Sequence, residues 1–198
     1  MRYAADHNDA TRDRIVEGAS RLFREQGVAA VGLAKVMAEA ELTVGTFYTH
    51  FASKEALVQA VLVHAQRGRD VELSRAVQAG QLELAVRAYL SPEHRDAAST
   101  GCVVAALGSE LARHPRATRD TFVDGLAPGL EMLQQLLDLD VGPRTHRADA
   151  VALLGLLSGT LQLARATPDP AASDDILAAG IRAALLLAHG LKHPPGER

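Results

Sequence analysis

The sequence is poor in cysteine and has no long apolar run. Its single cysteine, Cys102, excludes a disulfide-stabilised scaffold. The longest apolar stretch, residues 150–164, contains Ser158 and Thr160, and a membrane span needs about 20 mostly apolar residues. We therefore expect a buried helix there and no contact with a membrane. Residues 1–9 have no apolar segment behind their charges, so we expect no signal peptide and a reduced, cytoplasmic, soluble protein.

The sequence also lacks a strong excess of charge of either sign. Its formal net charge is −3 at pH 7. Residues 1–70 contain nine Lys and Arg against nine Asp and Glu, and the remainder contains twelve against fifteen. The overall field therefore gives no indication of a nucleic-acid partner. Any contact with DNA has to come from the local geometry of the amino-terminal part.

The motifs of common enzyme classes are missing. His189 and His193 are four residues apart but lack the glutamate of a zinc protease motif. The glycines of residues 27–32 lack the Lys and Ser/Thr of a phosphate-binding loop, and no Gly-x-Ser-x-Gly elbow occurs. We expect a protein that is not an enzyme, with no catalytic residue, no metal site and no cofactor.

Apolar residues recur at helical spacing almost everywhere, and no alternating strand pattern is present. This periodicity predicts an all-α protein with helices over residues 11–26, 33–40, 44–50, from 53 onward, 81–90, 102–113, 116–138, 146–166 and 173–189. The expected caps of the early helices are Asn8, Asp9 or Thr11, then Thr43 and Ser53. We expect Gly27 to end the first helix and Pro128 to kink or split the run 116–138.

Two short predicted helices joined by the turn 41–43 and braced by the first helix form a helix-turn-helix arrangement. The expected core consists of Leu22, Phe23, Val36, Ala40, Leu42, Phe47 and Phe51. In the segment 44–50, Phe47 points inward and Gly45 permits close approach of the backbone. The side chains that remain for DNA are Thr46, Tyr48, Thr49 and His50.

The segment 45–51, Gly-Thr-Phe-Tyr-Thr-His-Phe, followed by Ser-Lys-Glu-Ala-Leu at 53–57, resembles the signature of the TetR family of bacterial transcriptional regulators. The resemblance covers about residues 11–62, and residues 101–114 are similar to one branch of the family's carboxy-terminal domains. It implies an amino-terminal three-helix DNA-binding domain over residues 1–52. A larger helical bundle of five to six helices would follow over residues 53–198, with the helix from 53 bridging the two.

The resemblance further implies a homodimer that binds double-stranded DNA and an unknown small-molecule effector. The implied DNA-binding residues are Lys35, Thr43, Val44, Gly45, Thr46, Tyr48, Thr49, His50 and Lys54. Of these, Tyr48, His50 and Lys54 are expected on phosphates. The alternative for Tyr48 and His50 is a partly buried aromatic pair without a DNA partner.

Two features of the DNA-binding segment depart from the family pattern. Glu41 occupies a turn position where glycine is usual, because φ is often positive there, and its carboxylate adds an anion near phosphates. Gly32 replaces the usual Ser or Thr cap of the second helix. The recognition helix, residues 44–50, has no Lys or Arg, which predicts a shallow salt dependence. An arm of Arg2, Arg12 and Arg14 either adds DNA contacts or is only solvated.

The second domain is expected to supply the dimer interface and the effector site. Helices 146–166 and 173–189 are apolar around most of their circumference and rich in small residues, which favours a four-helix interface over burial within the monomer. The predicted effector residues are Tyr89, Cys102, Glu110, Phe122 and Met132. Cys102 at a helix start favours a reactive thiolate, which senses electrophiles or oxidants in some relatives, and the alternative is an inert buried cysteine.

These observations predict a ligand-responsive transcriptional regulator, a repressor that binds a palindromic operator as a dimer. The alternative is a helical small-molecule-binding or protein-interaction module whose DNA binding is weakened or lost. Glu41 and the uncharged recognition helix motivate that alternative.

Overall fold

The computed structural model describes residues 2–65, 81–141 and 146–192. These residues contain helices and no strand, so the predicted all-α class is confirmed. The helices are α1 Arg2–Gln26, α2 Leu33–Glu39, α3 Val44–His50, α4 over residues 54–65, α5 Leu82–Tyr89, α6 Pro92–Asp96, α7 Val103–Leu111, α8 Arg116–Asp124, α9 Ala127–Val141, α10 Arg147–Ala166 and α11 Pro170–Lys192.

The first helix begins well before the predicted residue 11. Helix α1 starts at Arg2, so Asn8, Asp9 and Thr11 lie inside it and their prediction as caps is wrong. The physical reason is that the segment before Thr11 contains neither glycine nor proline, so nothing interrupts the helix. Gly27 ends the helix as predicted, at a φ of +81°.

The predicted run 116–138 is two helices, as the glycines and Pro128 suggested. Helix α8 ends at Asp124, and Pro128 lies in the first turn of α9. The N–H groups of a first turn have no partner within the helix, so the missing N–H of proline costs no hydrogen bond there. Helix α6 was not predicted because it has five residues, too few for a periodic pattern. Ser91 caps it by accepting a hydrogen bond from the backbone N–H of His94 at 3.2 Å.

The chain forms two compact units. The first, called here the amino-terminal unit, contains Met1–Arg67 and Ala98–Gly125. The second unit contains Gly68–Ala97 and Leu126–Arg198. The segment 98–125 therefore folds with the helix-turn-helix rather than with the helices that follow it. The functional division into residues 1–52 and 53–198 stays a prediction.

A single apolar core holds the amino-terminal unit together, and it joins α1–α4 to α7. Six of the seven predicted core residues lie in it, and Leu42 packs against it. Leu42 is partly buried, and the fully or nearly fully buried members are Leu22, Phe23, Val36, Ala40, Phe47 and Phe51. Val103, Leu107 and Leu111 complete this core from α7. Because α7 is far from the helix-turn-helix in sequence, the core fixes the DNA-binding segment through a long-range contact.

In the second unit, α10 and α11 cross closely. A Cβ atom on Gly180 would lie 2.3 Å from Thr160 Cγ2, so only glycine permits this approach. Arg95 of α6 ties the start of α11 down, donating to Asp174 Oδ1 at 2.6 Å and to Ser173 Oγ at 3.0 Å. Arg165 of α10 in turn donates to the backbone carbonyl of Arg95 at 3.0 Å. In the parts of the chain that the structure describes, no helix has the length and apolarity to cross a membrane.

Candidate nucleic-acid interface

Helix α3 presents one polar face to solvent. Phe47 is 0% exposed, whereas its neighbour Tyr48 is 65% exposed. The other residues of this segment predicted for DNA divide into an exposed group, Thr43, Val44, Gly45 and Thr49, and a half-buried pair, Thr46 and His50. The predicted inward and outward faces of α3 are therefore those of the structure.

Aromatic packing fixes the orientation of α3. The rings of Phe47 and Phe51 stack at a centroid separation of 5.6 Å. The Tyr48 ring meets Phe47 edge to face at 5.2 Å, so one side of an exposed tyrosine rests on the core. Thr43 is the N-cap residue as predicted, but its hydroxyl bonds to the Thr46 hydroxyl at 3.1 Å and not to a backbone N–H. The helix start is thus tied side chain to side chain.

The turn between α2 and α3 is strained at Glu41. Its φ is +57°, which is the left-handed conformation. The glycine that is usual at this position indicated such a conformation. It costs a residue with a Cβ atom about 1 kcal/mol. The turn is closed by a 2.8 Å hydrogen bond from the Leu42 N–H to the Met37 carbonyl. Arg14 donates to the Ala40 carbonyl and lies 3.9 Å from the Glu41 carboxylate, which is 89% exposed. The side chain of Arg14, on α1, therefore stabilises this turn.

Both lysines predicted on DNA already have partners within the protein. The Lys54 ammonium donates to the Val28 carbonyl at 2.6 Å and lies 5.9 Å from the centre of the Phe23 ring. The Lys35 ammonium donates to Gln26 Oε1. Ser53 caps α4 as predicted, accepting from the Ala56 N–H at 3.1 Å. Phosphate contacts by Lys35 and Lys54 stay predictions, and each would use the N–H donors that these hydrogen bonds leave.

Glu110 holds the loop between α1 and α2, a role that the sequence did not indicate. Its two carboxylate oxygens accept from the backbone N–H groups of Val28 at 2.8 Å and Ala29 at 2.6 Å. A Cβ on Gly27 would lie 3.0 Å from Glu110 Oε2, so the glycine serves both the positive φ and this approach. Local sequence patterns contain no signal for a contact between residues 82 positions apart.

A polar cluster joins α4 to the segment after α7. His114 Nδ1 lies 2.9 Å from Glu55 Oε1, and the Thr118 hydroxyl donates to the same carboxylate. Gln59 donates to Thr118 Oγ1 at 3.1 Å. Burial by itself raises the pKa of the Glu55 carboxyl, but the hydrogen bonds from Thr118 and His114 outweigh it and hold that pKa below its usual value. The ionised carboxylate thus braces α4.

The five predicted effector residues do not fall in one unit. Cys102, Glu110 and Phe122 belong to the amino-terminal unit, whereas Tyr89 and Met132 belong to the second. Glu110 is committed to the loop, and Phe122 packs against the amino-terminal core. Cys102 is the N-cap residue of α7 and is buried, and Arg24 donates to the carbonyl just before it, that of Gly101, at 3.2 Å. An effector site at these residues stays a prediction.

The class of protein follows from this geometry: two short helices, a tight turn and an outward polar recognition helix define a helix-turn-helix protein. A family model described as "Bacterial regulatory proteins, tetR family" matches residues 15–61, which run from α1 into α4. The helix-turn-helix segment of this chain is therefore similar to that of the TetR family.

Curated relatives match over part of the chain. The transcriptional regulator UidR of Escherichia coli K12 is 38% identical over 56 residues, 28% of this chain and 29% of UidR. The regulator TtgR of Pseudomonas putida is 38% identical over 76 residues, 38% of this chain and 36% of TtgR. The chain thus matches about a third of the length of these relatives.

Solved structures resemble the chain over most of its length. A TetR-family regulator from Cytophaga hutchinsonii has a TM-score of 0.75 at 22% identity, covering 93% of this chain and 96% of that one. The reduced form of Escherichia coli NemR has a TM-score of 0.69 at 20% identity, covering 88% and 95%. At these identities the likeness shows a shared fold.

The Glu110 contact yields a first prediction. Glu110→Ala removes a charged acceptor from two N–H groups, so we expect the free energy of unfolding to fall by about 2 kcal/mol. Urea unfolding measures this change, and hydrogen exchange at Val28 and Ala29 should accelerate. The matched control is Ser109→Ala, an exposed neighbour on α7, which should stay within about 0.5 kcal/mol of wild type. Equal stability of the two variants would contradict the role of Glu110.

Proposed function

We propose that this protein is a DNA-binding transcriptional regulator that acts as a homodimer on a palindromic operator, represses transcription and releases DNA when a small molecule binds. The observation that carries the proposal is the exposed polar face of α3, on which Tyr48 is 65% exposed beside a fully buried Phe47. Such a face suits the major groove because its side chains are small or amphipathic and their helix is held from behind.

Affinity for DNA in this proposal comes from position more than from charge on α3. The helix carries no Lys or Arg, so hydroxyl and ring groups such as those of Tyr48, Thr49 and His50 supply its polar contacts. Each such contact adds little electrostatic free energy. Tight binding therefore needs the recognition helices of two subunits on one duplex.

The dimer is supported by an unpartnered stripe along α10. Val151 is 50% exposed and Leu163 is 63% exposed. Between them lie Gly155 and Gly159, each with open space where a Cβ would stand. Helix α11 adds Leu186, 69% exposed. Two copies of α10 and α11 packing through these residues would bury apolar area and set two recognition helices about one DNA turn apart, roughly 34 Å.

Effector response is supported by a structural neighbour. FadR of Bacillus subtilis, solved in complex with stearoyl-CoA, has a TM-score of 0.68 at 18% identity and covers 89% of this chain and 97% of that one. The same fold therefore accommodates a ligand in that protein. In our proposal the dimer has two conformations that differ in the distance between its recognition helices. The effector binds more tightly to the conformation that does not fit DNA, and so shifts the dimer toward it.

Selection from a random DNA library tests the proposal. We expect wild type to enrich a palindromic site in about 0.1 M salt. Tyr48→Phe removes only the hydroxyl and keeps the ring on Phe47, so it should raise Kd about tenfold per subunit, the value of one charge-assisted hydrogen bond. Val123→Ala is a control on an exposed residue of the same unit. No enrichment even at low salt would refute DNA regulation and favour the binding-module alternative.

Glu41 distinguishes a working reader from one that has lost DNA binding. Glu41→Gly relieves the positive φ, so we expect the free energy of unfolding to rise by about 1 kcal/mol while operator affinity changes less than about threefold. Glu41→Ala keeps the strain and removes only the carboxylate. A large gain in affinity in both variants would identify the carboxylate as a block and support the alternative module.

A charged residue on the α10 stripe tests the dimer. Leu163→Asp should convert the dimer to a monomer, because two desolvated carboxylates cannot face each other in an apolar interface. Light scattering after size exclusion measures the mass. Leu139→Asp, at a residue that is 61% exposed on α9, is the control and should remain dimeric. A Leu163→Asp variant with the mass of wild type would place the interface elsewhere.

A further inference from the structure

We propose that Arg12 of α1 is a DNA-binding residue, which contacts a backbone phosphate beside the carboxy-terminal end of the recognition helix α3. The inference rests on the proposed function, and it assigns to α1 a cation that α3 lacks. It goes beyond the predicted arm of arginines because the structure gives Arg12 and Arg14 different surroundings: Arg14 donates to the Ala40 carbonyl, and Arg12 lies on the Phe51 ring.

Almost all Lys and Arg side chains of the helix-turn-helix region donate hydrogen bonds within the protein. Within residues 8–65, five of them donate hydrogen bonds to groups of the protein: Arg14, Arg21, Arg24, Lys35 and Lys54. These contacts hold each cation in one place, so a phosphate can use only the N–H donors that they leave. Their reach toward DNA is therefore restricted by the position of the internal acceptor.

Arg12 differs from the other five in its surroundings. Its side chain is exposed, and its guanidinium carbon lies 4.8 Å from the centre of the Phe51 ring. In the described part of the chain, no ion pair and no hydrogen bond of its side chain accompanies this ring contact. All five N–H donors of the guanidinium thus remain for an external acceptor.

The ring beneath Arg12 connects it to the recognition helix. Phe51 is the C-cap residue of α3 and is only 4% exposed, so it is a fixed platform. It stacks on Phe47, and Phe47 in turn meets the exposed Tyr48 ring edge to face. A continuous aromatic row therefore runs from Arg12 to Tyr48, and the position of the guanidinium is set by the same packing that orients α3.

The chemistry of this arrangement favours a phosphate. A guanidinium lying on an aromatic face keeps its edge N–H groups free, and that edge matches two phosphate oxygens. The stacked side chain also loses less rotamer freedom on binding than a solvated one. Asp9 and Asp13 of the same helix weaken the field of Arg12 at long range, so the contact acts at short range and not by steering.

The salt dependence of DNA binding tests Arg12. The probe is the duplex that wild type selects, titrated between about 50 and 200 mM salt. Arg12→Ala should reduce the slope of log K against log salt by about 1 per subunit and weaken binding roughly tenfold per subunit at 0.1 M salt. Arg12→Lys should keep the slope because it keeps the charge. Arg87→Ala on α5 removes the same charge from the second unit and should keep it as well.

The outcomes separate this inference from the proposed function. If wild type selects a site and Arg12→Ala has the slope of Arg87→Ala, the role of Arg12 is overturned while DNA binding stands. A slope lost equally in Arg12→Lys overturns it too, because the charge is then not the cause. If wild type selects no DNA, the proposed function and this inference fail together. A circular dichroism spectrum and melting temperature equal to wild type confirm that Arg12→Ala is folded.

Discussion

The burial of Phe47 is the constraint on which the DNA-binding surface depends. A recognition helix of seven residues has little helical stability of its own, so tertiary contacts must fix both its existence and its rotation. Phe47, fully buried and stacked on Phe51, supplies that fixation. Once its ring points inward, helical geometry turns Tyr48 and Thr49 outward. The polar face is thus a consequence of one aromatic side chain in the core.

The same contacts explain which parts of the site could be predicted from sequence. Gly27 as the end of α1, Ser53 as a cap and the positive φ of Glu41 are local properties, set by a few neighbouring residues or read from a family pattern. The role of Glu110 is not local, since its partner N–H groups lie more than 80 positions away. An acidic residue on an amphipathic helix gives no signal that distinguishes a loop clamp from a cavity wall or a solvated side chain.

A second consequence concerns the charges. The net charge of residues 1–70 is near zero, and the structure shows that most of the cations near the helix-turn-helix have internal tasks. Arg14 stabilises a strained turn, and Lys54 holds the α1–α2 loop opposite Glu110. The family resemblance implies a phosphate contact for Lys54, and in the structure its ammonium also donates to the Val28 carbonyl. A count of charges therefore does not show which cations also have a task within the fold.

The amino-terminal unit also implies how a signal could reach the DNA-binding surface. Segment 98–125 shares one core with α1–α4 and is joined to them by polar contacts at Arg24, Glu110 and the Glu55–His114–Thr118 cluster. Hydrogen bonds of 2.6–2.9 Å are lost once donor and acceptor are about 3.6 Å apart. In the proposed regulation, a shift of α7 by roughly 1 Å would break the contacts of Glu110 with the α1–α2 loop. Packed cores change between discrete arrangements. Such a release would therefore move α3 as a rigid body and would not make its position less defined.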